Sequence, residues 1–257
     1  MRQLTTKRSE AHLRRTYDTS VAHLLVVAPT RRELAGLRPN RLGGFGLAKL
    51  GVGGAAAGNL RTILKTRRPQ ILLSIGFGGA LLEGIHTGDV IVSTEALSAQ
   101  LPMQCIRMHT QLTDDATSTL IATGMTVTKG STLTVREPLM SAVDKQLHGA
   151  LTGASVVDME TFWIAQEADR EGIPLVSVRA VIDEIGHDLP DVIARITADG
   201  GQRECYHVLR SLRNPANVGA IFPLMVRSRR AITALRSVVD VLVPLLTKHA
   251  PMRASHR

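Results

Sequence analysis

The chain has 257 residues, of which 44% are hydrophobic and 21% charged, with a mean hydropathy of +0.08. That apolar content builds one sizeable core and excludes a disordered chain. No run of about 18 uncharged apolar residues exists, so a membrane-spanning helix is not expected. Two cysteines, Cys105 and Cys205, are too few for a disulfide framework or a four-cysteine zinc site, and they suit reduced thiols in a cytoplasmic protein.

The formal charge of +9 is concentrated at the ends. Residues 1–22 carry five Arg/Lys against two acids, and residues 203–257 carry ten against two, so the body between them is close to neutral. Aromatic residues make up 3%, leaving few platforms on which bases could stack, and a nucleic-acid partner is not expected.

In chain order, residues 1–22 are polar and arginine-rich and read as a flexible basic tail. An α/β rhythm follows. His23–Pro29 is a short apolar run fit for a buried strand, and Phe45–Gly54 is a second strand ending in glycines. Ala55–Arg68 suits a helix with Leu60, Ile63 and Leu64 on one side and a basic end. Gln70–Leu82 is a strand that stops at Gly76, Gly78 and Gly79, and Asp89–Leu97 is another. Met125–Thr128 and Ala154–Val157 are two more, Thr161–Glu171 is helical, and Pro174–Asp183 is again a strand. Ile221–Leu246 has a helical stripe of Ile232, Leu235, Val239, Leu242 and Leu246 beside a crowd of arginines, and Pro244 should kink or end it. Strands alternating with helices predict a mostly parallel sheet covered on both faces, with ligands beyond the carboxyl ends of its strands.

Four features bear chemistry. Gly51–Gly58 (GVGGAAAG) has dinucleotide-loop spacing, but no acid ends the next strand, so a nicotinamide or flavin site is not supported. Ser74–Val92 carries a glycine-rich turn able to expose N–H groups to a ligand, or to serve as a tight connection. In Val156–Ala168, Glu160 either serves a helix dipole or accepts bonds from vicinal hydroxyls. Asp183, at the end of Val178–Asp183, is either a helix cap or a buried proton donor, and Glu33 is by itself an ordinary helix acid. No nucleophile elbow, HExxH or Walker loop is present.

Taken in order, VVAPTRREL, LGVGGAAAGNL, ILLSIGFGGALLEGIHTGDVIVS, VVDMET and VRAVID resemble the nucleoside phosphorylase superfamily, in particular its nucleosidase branch. The resemblance spans Leu24 to about Asp183. It implies a three-layer α/β/α fold with a twisted mixed, mostly parallel central sheet, forming a catalytic domain over residues 23–202, with 203–257 as a basic helical extension packed on it. It implies cleavage of the N-glycosidic bond of a purine nucleoside, without metal or organic cofactor, by a homodimer or larger oligomer. By the same resemblance Asp183 is the acid at N7 of the leaving purine. Glu160, with Met159 before it, grips the ribose hydroxyls, and Glu33 orients the attacking water. Phe77 and Gly78 line the base or nucleophile side, and Leu133 falls near the base-stacking position. The family's phosphorylases hold phosphate with an arginine and a Ser or Thr where this chain has Ser74 and Phe77, which favours hydrolysis over phosphorolysis. The segment VRAVIDEIGHDLP and the basic C-terminal helix are also similar to hopanoid-associated phosphorylases, which act on a lipid-linked nucleoside, and that basic helix suits peripheral contact with an anionic membrane. A non-catalytic nucleoside-binding protein is the alternative of another class.

Overall fold

The computed structural model describes residues 23–38, 45–190, 193 and 215–249, with side chains from 226 onward in the last stretch. The basic tail of residues 1–22 and the expected boundary at 202/203 lie outside the described residues.

The strands are β1 Leu24–Ala28, β2 Gly46–Lys49, β3 Ile71–Ala80, β4 Val90–Ser98, β5 Cys105–Arg107, β6 Val127–Thr134, β7 Val156–Asp158 and β8 Leu175–Asp183. The helices are α1 Ala55–Thr66, α2 Thr110–Ala122, α3 Ala142–Thr152, α4 Thr161–Arg170 and α5 Pro215–His249. β1 is LLVVA, buried at every position, as expected of a strand covered on both faces.

The sheet is mixed. β1 pairs in parallel with β2 and β3, β3 with β8, and β6 with both β4 and β7. The β3–β7, β4–β5 and β4–β8 pairs are antiparallel. Because β8 joins β3 to β4 while β7 and β6 join the same two strands, five strands pair around a closed circuit. β1 and β2 extend it beside β3, and β5 extends it beside β4.

Helices cover the strands in two groups. Val27, Leu72 and Leu175 pack with Leu60 and Leu64 of α1 and with Phe162 and Ala165 of α4. Val26, Leu73, Val92 and Val178 pack with Leu112 and Ala116 of α2 and with Leu235, Val239 and Leu242 of α5. The arrangement is the expected α/β architecture. α1 and α4 are tied by Arg61, whose Nε and Nη2 reach the buried Glu167 carboxylate at 3.0 and 2.6 Å.

Two expectations are corrected. α5 does not end at Pro244, one of the two outcomes expected there, but continues to His249, because Pro244 lies on the exposed side while Val243 and Leu246 are fully buried and hold the last turn to the core. β3 does not stop at Gly76 but runs to Ala80, paired throughout with β8 or β7. Among the described residues no helix is long and apolar enough to cross a membrane.

If α5 is part of the core, Leu242→Ala should lower the unfolding free energy by about 2–5 kcal/mol. Urea denaturation measures this, and a change within experimental error would show that the helix is only laid on the surface.

Candidate active site

The glycines of β3 provide the room in which the site is built. A Cβ at Gly76 would stand 3.3 Å from both Glu33 Oε1 and Arg179 Cζ, and one at Gly79 would stand 2.9 Å from Asp183 Oδ2. Polar side chains therefore lie directly against a strand that is otherwise apolar. A bulge shifts the β3–β8 register after Gly78, so that Asp183, rather than Ile182, pairs with Gly79.

Glu33 follows β1 in a short turn and is buried. Its Oε2 accepts from the amide and hydroxyl of Thr30, both at 2.7 Å, and its Oε1 accepts from the Phe77 amide at 3.0 Å. Burial raises its pKa, against the opposing effects of Thr30, the Phe77 amide and Arg179. The same turn is braced from α5, where Arg236 Nε donates to Ala35 O at 2.9 Å.

Arg179 of β8 has no exposed surface. Its Nε donates to Asp158 Oδ2 at 2.7 Å, its Nη2 to Ser74 Oγ at 3.1 Å, and its Nη1 to Val178 O at 2.9 Å. Asp158 is consumed by structure, since it also accepts from the hydroxyl of Thr134 at 2.8 Å and the Thr161 amide at 3.0 Å at the start of α4. Glu160 is the freer of the two acids. Its Oε1 accepts from the Gly53 amide at 2.7 Å, and its Oε2 accepts no protein hydrogen bond among the described residues. The glycine loop before α1 thus presents an amide to Glu160, with Gly53 at φ +67 where a side chain would be strained. Burial and then the Asp158 charge push the Glu160 pKa up to about 8, the Glu33 charge adding to this and the Gly53 amide opposing it.

Asp183 ends β8 and is buried. Its Oδ2 accepts from Lys145 Nζ of α3 at 2.7 Å. Burial raises its pKa, and the Lys145 ammonium works against that rise.

The structure brings Glu33 and Glu160 into one another's field, while Asp183, farther along β3, has Lys145, Arg227 and His187 as its charged neighbours. Glu33 lies beside Gly76 and Phe77, Glu160 within the field of Glu33 and Arg179, and Asp183 beside Gly79. Phe77 contributes its amide to Glu33 and is half-buried, while Gly78 lies against Val156 and Val157. Met159 is half-buried at the edge of a cluster containing Leu81, Leu97 and Leu133. Leu133 itself is 0% exposed within that cluster, so here it offers no free face for stacking. The glycine-rich stretch, read either as an N–H-bearing turn or as a tight connection, continues as strand through Ala80, and its Phe77 amide goes to Glu33. Sequence reasoning missed Arg179 and Lys145. A charge inside the apolar run LVSVRAVID was the available signal for the first, because a buried charge requires a partner. A hollow near Met108, Ala165 and Pro174 lies at α4 and β5, and none of these groups lines it. Among the described residues no group of three or more His, Cys, Asp or Glu could hold a metal ion.

The raised Glu160 pKa has a consequence for stability. An unfolded chain ionises Glu160 near 4.5, but the folded chain keeps its proton until about 8, so folding loses stability as pH rises across that window. Replacing Glu160 by Gln removes this loss. The Tm difference between Glu160→Gln and the parent chain should therefore grow in favour of the variant from about pH 4.5 to about pH 8. A difference that stays flat in thermal melts across this range refutes the assignment.

Comparison with known proteins agrees with this architecture. A family model described as the phosphorylase superfamily matches residues 45–205. A 5′-methylthioadenosine/S-adenosylhomocysteine nucleosidase from Neisseria meningitidis superposes with a TM-score of 0.65 at 17% identity, covering 86% of this chain and 98% of that one. An S-adenosylhomocysteine nucleosidase from Streptococcus pyogenes gives a TM-score of 0.65 at 18% identity, covering 87% and 96%. The futalosine hydrolase of Helicobacter pylori gives 0.62 at 16%, covering 86% and 98%. No curated protein sequence matches. With more than half of its length matched by the family model, on a mixed sheet lined by buried carboxyls, the chain belongs to the phosphorylase superfamily, whose members cleave glycosyl bonds.

Proposed function

We propose that the protein hydrolyses the N-glycosidic bond of a purine ribonucleoside of adenine type, releasing the base. The observation that carries the choice of water over phosphate is the position of Glu33. Its carboxylate already takes the Phe77 amide on β3, next to the Arg179 guanidinium. A phosphate entering there would meet a buried acid instead of free donors, whereas a water molecule beside Gly76 would find an acceptor in Glu33 Oε1 and a donor in Arg179.

The chemistry then follows from the residue types. Departure of the base builds positive charge on the sugar and negative charge on the purine. Glu160, with Oε2 free, accepts from the ribose hydroxyls. The water oxygen attacks C1′ and gives a proton to Glu33, the C1′–N9 bond breaks with its electron pair going to the purine, and Asp183 delivers a proton to N7. The raised pKa values of Glu33 and Asp183 suit a base and an acid working near neutral pH. A second reading, peripheral attachment of an enzyme acting on a lipid-linked nucleoside, is favoured by Arg229 and Arg230, both exposed near the exposed Val226 on α5.

Asp183→Asn should reduce base release by about 10²–10⁴-fold with the circular dichroism spectrum retained. Chromatography of the released base from adenosine and 5′-methylthioadenosine, with and without phosphate, checks both this and the nucleophile. A strict requirement for phosphate refutes hydrolysis. Co-sedimentation with phosphatidylglycerol vesicles, lost at high salt and weakened by Arg229→Glu/Arg230→Glu, would support membrane attachment. Protein left in the supernatant at low salt would remove that reading.

A further inference from the structure

α3 is built inside out. Val143, Leu147 and Leu151 are 71%, 52% and 73% exposed, while Lys145 on the same helix has no exposed surface. Such a burial is costly unless the charge is fully paired. An ammonium has three N–H groups, and each finds an acceptor here. Lys145 Nζ lies 2.7 Å from Asp183 Oδ2, 2.6 Å from Glu184 O and 2.6 Å from His187 O. With all three donors taken, Lys145 has none left for a ligand. Asp183 Oδ1, by contrast, accepts no protein hydrogen bond among the described residues.

The two carbonyls belong to the turn that follows β8, closed by the His187 amide on Glu184 O at 3.2 Å. That turn is fastened to the start of α3 twice more. The Ala142 amide donates to Asp188 Oδ1 at 2.8 Å, and the Leu189 amide donates to Met140 O at 2.8 Å.

We propose that Lys145 is the positioning residue of the acid: it holds Asp183 by Oδ2 so that Oδ1 faces the leaving base, and it ties the 184–187 turn to the same point. This rests on the reading of Asp183 as the acid of base departure. Lys145 acts through Asp183 and does not touch the substrate. The cation also favours the ionised carboxylate, so its loss lets Asp183 keep its proton to higher pH. Other charges that bear on Asp183 are Arg227 of α5 and His187 of the turn. The Glu184 carboxylate is directed to the Thr87 amide and His86.

The test uses the full-length chain and its Lys145→Met and Lys145→Arg variants. Adenine release from adenosine and 5′-methylthioadenosine is followed across pH, and the Asp183 carboxyl is titrated by ¹³C NMR with its signal assigned from Asp183→Asn. Lys145→Met should lower kcat by about 10²-fold with little change in KM. It should move both the alkaline limb of kcat/KM and the Asp183 midpoint upward by about one to three pH units. Lys145→Arg keeps the charge and should restore the limb. A loss of activity equal at every pH, with the midpoint unmoved, overturns the proposal and leaves Lys145 a packing residue. If Lys145→Met does not fold, Lys145→Gln, which keeps a donor without the charge, gives the same readings. A midpoint that moves in a protein releasing no adenine would uphold the clamp and defeat the nucleosidase reading. Release of adenine by the parent chain with an unmoved midpoint would do the reverse.

Discussion

One fully buried guanidinium organises the centre of this protein. Arg179 sits in the middle of β8 with three carboxyls in its field, and its direct ion pair is with Asp158. Burying a charge without a partner is prohibitive, so Asp158 fixes Arg179, and Arg179 fixes β8 against Ser74 of β3. Glu33 and Glu160 are left in a neighbourhood short of positive charge, and burial lifts both above the ordinary carboxylate range. The structural pair and the pair proposed for chemistry are thus made by the same count of charges.

The second buried cation works differently. Lys145 meets Asp183 from a helix that turns Val143, Leu147 and Leu151 outward, and it spends every donor on the end of β8 and the turn beyond it. The two cations divide the carboxyls between them, one near the sugar side of the proposed substrate and one near its base. The glycines of β3 make room for both arrangements: a Cβ at Gly79 would press on Asp183 Oδ2 at 2.9 Å, and one at Gly76 would crowd Glu33 and Arg179 at 3.3 Å.

Much of this was legible in the chain itself. β1, β3, β4, β8, α1 and α4 announce themselves by apolar runs or helical spacing; Glu160 and Asp183 stand at a helix start and a strand end, whereas Glu33, in a turn five residues after β1, was singled out by the resemblance. β5, α2 and α3 were not legible. β5 has three residues, α2 has a mixed surface, and α3 hides a lysine while exposing leucines, so a reading by hydrophobic face inverts it. Arg179 and Lys145 were missed for a related reason. Their partners lie 21 and 38 residues away, and nothing local marks such pairings. Leu133 was assigned by resemblance alone, whereas its burial is decided by Leu81, Leu97 and Val157 closing around it.

The bond from Arg236 to Ala35 links residues 201 positions apart. The turn that carries Glu33 is made near the beginning of the chain but steadied by a helix made near its end. During synthesis every proposed reactive carboxyl would be in place before that steadying arm has emerged. The turn that holds Glu33 would then gain this brace only once residue 236 has been made, well after the segment that carries the reactive groups.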